Sequence, residues 1–282
     1  MYKFKPILKT LVWGTESWVL SGVPGNESVV AEGPEAGRKI TDIFPGQFPL
    51  LIKFIDAHKD LSIQVHPDDA LAAARHGCKG KTEMWYVIGA SEGAHLMSGL
   101  KEKIDPQKYV SLVEQGKITD VLCDYSVSAG DVFFLPAGRI HAIGGGCYIA
   151  EIQQTSDITY RIYDYGRPGL DGKPRQLHTQ EAKDAIDYTV LPDYRTRYES
   201  ARDVQVPLVE CPFFSTSLLD LTAPYSAPVD SDFLIVVCME GSGRVNGISL
   251  KAGETGLLVK EDLSIVPDGR FKLLTTFVPA AE

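Results

Sequence analysis

Along most of its length the chain is cut into short apolar segments by Gly, Pro, Asn and Asp. Segments of this size match strands rather than helices. "FPLLIKFIDA", "LSIQVH", "EMWYVIGA", "AHLMSGL", "DVFFLP", "CYIAEIQQ" and "ITYRIYDY" all read as strands. Beyond about Pro207 come "FFSTSLLDL", "FLIVVCM", "GRVNGISL", "TGLLVK" and "RFKLLTTFV", with no helical pattern between them. Closely spaced strands joined by turns fold as barrels or sandwiches. The expected fold class is therefore mainly β, with a boundary near residue 205. Residues 1–205 form one domain, and residues 206–282 a second, smaller β unit without His. Three short helices are expected. "PDDALAAARHG" opens with Pro and two Asp and stops at Gly77, which matches helix start and stop chemistry. "DPQKYVSLVEQG" repeats that logic, and "TQEAKDAID" has Thr179 as its expected cap.

"LSIQVHPDD" poses the functional question. Period-two alternation puts Leu61, Ile63 and Val65 on one face and Ser62, Gln64 and His66 on the other. If the polar face points into a barrel, its groups need partners. "KTEMWYVI" alternates too, with Lys81, Glu83, Trp85 and Val87 on one face. In "GDVFFLPAGRIHAIGGG" a strand, a Pro136-Ala137-Gly138 turn and then His141 follow in order. Taken alone, Lys81–Glu83 reads as an exposed ion pair and His141 as an ordinary surface or core residue. Taken together, Gln64, His66, Glu83 and His141 supply one amide, two imidazoles and one carboxylate. That donor set suits a divalent transition metal, zinc first. The spacings are too long for a local metal motif and fit ligands gathered from separate strands.

Bulk properties narrow the function classes. With 282 residues, 44% of them hydrophobic, the chain can bury a sizeable core. A net charge of −9 argues against a nucleic-acid binder, which carries a basic footprint. No apolar run approaches the length of a membrane helix. The N-terminal stretch does not read as a signal peptide. Five scattered cysteines without a C-x-x-C pair read as reduced thiols in a cytoplasmic protein.

Gly130, Pro136, Gly138 and His141 match the G-x5-P-x-G-x2-H motif of cupins. "FPLLIKFIDAHKDLSIQVHPDD", "GKTEMWYVI", "LPAGRIHAIG" and "EIQQTSDITYRIYDYGR", in that order, resemble the type I phosphomannose isomerases in their short bacterial form. The resemblance runs from Trp13 to Leu191 and is weak after residue 205. It implies a cupin (jelly-roll β-barrel) fold and one Zn2+ held by Gln64, His66, Glu83 and His141. It implies catalytic roles for Arg161 and Lys81. It makes Ser62, Lys81 and Arg161 substrate-binding residues, Ser62 toward a sugar's phosphate. The expected reaction interconverts mannose 6-phosphate and fructose 6-phosphate through a cis-enediol, with Lys81 or a zinc-bound water as base. Three departures stand out: Gly145 replaces a frequent Asn, K-T-E replaces K-P-E, and the helical insert of longer members is absent. Two rival readings keep the fold: a non-haem metal oxygenase, for which a fourth ligand at Gln64 is unsuited, and a non-catalytic sugar-phosphate-binding cupin.

The residues themselves leave alternatives. As a strand, "SDITYR" puts Asp157, Thr159 and Arg161 on one face, where Arg161 either pairs with Asp157 or meets an anion. Glu151 and Gln153 share a face and line the pocket, as support or in catalysis. His58 and His76 read as surface residues and His95 as facing a core. His178 resembles a family feature with no assigned chemistry. Asp68 and Asp69 read as first-turn helix charges.

Overall fold

The computed structural model describes residues 1–44 and 46–280. It is mainly β, as expected, with short helices. The chain forms two compact units, 8–16 with 54–195 and 1–7 with 17–53 and 196–282. Neither unit is contiguous, whereas the sequence reading divided the chain once, near residue 205.

The unit containing residues 54–195 is built on two sheets. In one, strands Val132–Leu135, Glu83–Ala90 and Cys147–Gln154 lie side by side in that order. In the other the order is Tyr160–Tyr163, Ile63–Val65, His141–Ile143, His95–Leu100 and Leu122–Ser126. Alternation decides which way each residue faces. Ile63 and Val65 pack in one cluster with Ala142 and Ile162, beneath Tyr109 and Leu112 of helix Pro106–Glu114 and Ala182 of helix Thr179–Ala185. Burying an aliphatic side chain of this size contributes about 1.5–3 kcal/mol. The aliphatic face of "LSIQVH" is thus covered by helices, which leaves Gln64 and His66 to the opposite face. Trp85, Val87, Phe133, Leu135 and Ile149 form a second cluster with Leu96 and Ile143.

The helices start and stop for local reasons. The Asp68 carboxylate accepts from Leu71 N at 2.8 Å, and Gly77 ends helix Asp69–His76 in the left-handed region at φ 66°. Asp105 accepts from Lys108 N at 2.7 Å ahead of Pro106. The third helix departs from expectation. Its cap position is His178, Thr179 is already helical, and no side chain caps it.

The other unit pairs Gln205–Glu210, Ser215–Leu221, Phe271–Phe277, Phe233–Glu240, Thr255–Val259, Tyr2–Phe4 and Val30–Glu32 in one sheet. Tyr2 sits opposite Leu257. The first residues of the chain therefore complete a sheet made mostly by its last third. A core of Leu219, Val236, Leu258, Ile265 and Phe271 holds this unit. The five cysteines are free thiols. No helix among the described residues is long and apolar enough to cross a membrane.

Candidate active site

Antiparallel register sets out the site. Gln64 lies opposite both His141 and Arg161, and His141 lies opposite Ser98. Directly opposed residues share a sheet face, so Arg161, Gln64, His141 and Ser98 form one row. In the facing sheet Glu83 lies opposite Gln153 and Trp85 opposite Glu151. His66, Glu83 and His141 are fully buried and converge, with one ligand atom from each lying within 4.8 Å of the others. His141 Nε2 is 3.3 Å from Glu83 Oε1, and His66 Nε2 is 3.6 Å from Glu83 Oε2. The Gln64 amide nitrogen is 3.2 Å from His141 Nε2. A half-turn of that amide presents its oxygen at the same place.

The main chain dictates the imidazole tautomers. His66 Nδ1 is 2.8 Å from Ile158 O, and His141 Nδ1 is 2.8 Å from Arg139 O. A carbonyl only accepts, so each Nδ1 carries the hydrogen and donates it. Each Nε2 is left with a lone pair facing Glu83. Burial pushes the His141 pKa down to about 3, so the ring is neutral at neutral pH. Such orientation of histidines through the far nitrogen is what metal sites require.

Lys81 and Glu151 lie beside this group. Lys81 Nζ is 2.9 Å from Glu83 Oε2, 3.1 Å from His66 Nε2 and 3.9 Å from Glu151 Oε1. Trp85 Nε1 donates to Glu151 Oε2 at 2.8 Å and so holds the carboxylate in place. The Glu83 and Glu151 carboxylates, the Lys81 amine and the two Nε2 atoms thus meet in one buried place. A divalent cation fits this set of imidazole and carboxylate donors. His66, Glu83 and His141 could hold it, with Gln64 as fourth donor.

Arg161 is half-buried, and its Nη1 donates to Gln176 O at 3.0 Å. Its strand begins only at Tyr160, so Asp157 and Thr159 do not share a strand face with it. The nearby carboxylate of Asp164 is taken by Arg167 and Arg175, at 2.8 and 2.5 Å. No ion pair to Arg161 occurs among the described residues. Burial first, then the charge of Arg175, lowers its pKa. Ser62 is buried immediately before strand Ile63–Val65, and no hydrogen bond joins it to the His–Glu–His group.

Several residues stand apart from their sequence readings. Ser98, buried with an Oγ lacking a hydrogen-bond partner, joins the row beside His141. A lone Ser in the apolar alternation of "HLMSGL" was the available signal. His95 does not face a core: it is half-buried and meets Asp124 at 2.8 Å. His58 and His76 are exposed, as expected, although His76 Nε2 also meets Tyr160 OH at 2.8 Å.

Comparison with known proteins places this geometry. Residues 15–125 match the family described as phosphomannose isomerase type I, catalytic domain. The mannose-6-phosphate isomerase ManA of Bacillus subtilis is 33% identical over 272 residues, covering 86% of each chain. A mannose-6-phosphate isomerase of Streptococcus mutans is 34% identical over 242 residues, covering 82% of this chain and 76% of its own. The crystal structure of a Bacillus subtilis mannose 6-phosphate isomerase superposes with a TM-score of 0.90 at 29% identity, over 98% of this chain and 99% of the other. The mainly β fold is accordingly of the cupin type. On sequence, fold and site together, the chain belongs to the type I phosphomannose isomerase family, the mannose-6-phosphate isomerases.

Proposed function

We propose that the protein is a zinc-dependent isomerase that interconverts mannose 6-phosphate and fructose 6-phosphate through a cis-enediol, acting in the cytoplasm. The observation that carries this reading is the pair of carbonyl-locked histidines, His66 and His141, whose Nε2 atoms converge on Glu83 in a buried group. Gln64, His66, Glu83 and His141 would hold the ion. When bound, zinc supplies Lewis acidity toward the oxygens that exchange roles. The protein's side chains do the rest. A base takes the proton from C2 of the open-chain aldose while the C1 oxygen gains one, which yields the enediol. The same base returns the proton to C1 as the C2 oxygen loses its own, which yields the ketose. Lys81 is the proposed proton carrier, because it is the buried amine closest to Glu83 and His66 and has Glu151 within 3.9 Å to exchange with. Arg161, with no carboxylate partner, supplies a fixed positive charge for the substrate's anionic oxygens. Ser62 is the proposed hydroxyl toward the phosphate. Five cysteines that form no disulfide are in keeping with a reducing compartment.

A coupled assay from mannose 6-phosphate to fructose 6-phosphate tests the reading. Activity should vanish after chelation and return with added zinc. A folded, zinc-loaded sample that leaves mannose 6-phosphate unchanged would sink it.

A further inference from the structure

Strand Tyr160–Tyr163 is the edge of its sheet. An edge strand leaves alternate N–H and C=O groups pointing away from its neighbour, to be met by water or by another segment. At Arg161 both groups are met by one residue. His178 N donates to Arg161 O at 2.7 Å, and Arg161 N donates to His178 Nδ1 at 3.1 Å. The segment that delivers His178 also receives the Arg161 head, through Nη1 to Gln176 O at 3.0 Å. Gln176 and His178 therefore hold Arg161 at three points: amide, carbonyl and guanidinium.

Among the described residues no ion pair fastens this arginine. Across the sheet its pairing with Ile63–Val65 loses register between Arg161 and Tyr163. The local carboxylate, Asp164, is committed to Arg167 and Arg175. A guanidinium that is free to accept an anion needs its direction set by something other than an ion pair. Main-chain and imidazole bonds can do this without neutralising it.

We propose that His178 is a positioning residue for the isomerisation: its Nδ1, as a hydrogen-bond acceptor, fixes the edge-strand position from which Arg161 presents its charge to the sugar phosphate. The proposal rests on the role of Arg161 given above. It requires Nδ1 to be free of a proton. Burial first, then the charge of Arg161, lowers the His178 pKa, with Glu181 opposing and His76 adding to the lowering. The Tyr160 ring lies alongside, 6.2 Å between centroids. His178 is also the cap residue of helix Thr179–Ala185, so the helix start and the arginine clamp are one feature.

Two substitutions separate positioning from packing. His178→Phe keeps a ring against Tyr160 and removes the acceptor. His178→Asn keeps an acceptor, Oδ1, at about the place of Nδ1 and does not titrate. H178F should lower kcat/KM for mannose 6-phosphate roughly ten- to a hundredfold, the scale on which a misplaced group costs rate. H178N should stay within about threefold of the parent. In an Arg161→Ala background, H178F should cause no further loss, because a residue that acts through Arg161 has nothing left to position. Zinc content and Tm are recorded alongside. If H178F does not fold, His178→Met takes its place. A folded, zinc-loaded H178F with parental kcat/KM, or losses that simply add in the R161A background, would overturn the proposal. Parental turnover in R161A itself would instead overturn the role of Arg161.

Discussion

Two main-chain carbonyls, Ile158 O and Arg139 O, select the tautomers of His66 and His141 and so decide what those rings can bind. Glu83 is the anion they face, and removing its charge while keeping its shape isolates its part. Glu83→Gln should lose most bound zinc and lower kcat/KM on the order of a thousandfold. Metal analysis beside the coupled assay checks both; full zinc occupancy in the variant would count against Glu83 as a ligand. Asp164 makes a second residue-scale prediction. Its bonds to Arg175 and Arg167 hold its pKa below the ordinary value of 3.8 against the opposing effect of burial. A lowered carboxylate pKa means that the unfolded state binds the proton more readily. The stabilisation is therefore complete above pH 3.8 and is lost as pH falls through the lower folded value. Asp164→Asn should cost about 3 kcal/mol near neutrality, and the gap should close in strong acid. Urea titrations of parent and variant at both pH values test it; a gap of constant size would refute the ion-pair account. These side chains were legible to different degrees. Gln64, His66, Glu83 and His141 could be listed from alternation and motif. Asp164 with its two arginines could not, because which carboxylate meets which guanidinium depends on loop geometry that local periodicity does not encode.

The element that most directly aims a histidine is the turn ahead of His141. Gly138 sits at φ 91°, and a Cβ there would lie 3.0 Å from Ala185 O and 3.2 Å from Asp187 N. The turn is bonded on both sides, Gly138 N to His66 O at 2.9 Å and Asp187 N to Gly138 O at 2.8 Å. Gly138→Ala should therefore cost about 1–3 kcal/mol and weaken zinc retention, because the strained turn lies between His66 and His141, the proposed ligands. Thermal unfolding and metal content would show it, and a variant matching the parent in both would mean the turn adapts. The helices carry a milder prediction. Asp105→Ala removes the cap of helix Pro106–Glu114 and should cost about 1 kcal/mol with little change in kcat/KM. Both signals, Pro-x-Gly before His and Asp-Pro before a helical run, were readable because they are local. The start of helix Thr179–Ala185 was misread for the converse reason: Thr179 has good capping chemistry, but His178 occupies the cap position while it bonds the Arg161 backbone.

For the whole molecule, the two compact units differ in what they stand to lose with the proposed metal. His66, Glu83 and His141 all belong to the unit containing residues 54–195. Binding that favours the folded state stabilises only what unfolds with the site. After chelation, amide exchange should quicken in strands Ile63–Val65, Glu83–Ala90 and His141–Ile143, and stay nearly unchanged in Phe233–Glu240 and Phe271–Phe277. Equal quickening in both sets would show that the chain unfolds as one cooperative body. The sequence by itself determined the mainly β class, the positions of most strands, the starts of two helices and His66, Glu83 and His141 as residues of one candidate group, since each follows from spacing along a few neighbouring residues. Only the tertiary structure decided that Tyr2–Phe4 completes a sheet with Thr255–Val259, that the units are discontinuous, that Arg161 is held by Gln176 and His178 and not by Asp157, and that both histidines turn Nε2 inward. Those outcomes are contacts between residues far apart in the chain. Their free energy comes from pairing edges and orphan polar groups that exist only once the sheets have formed.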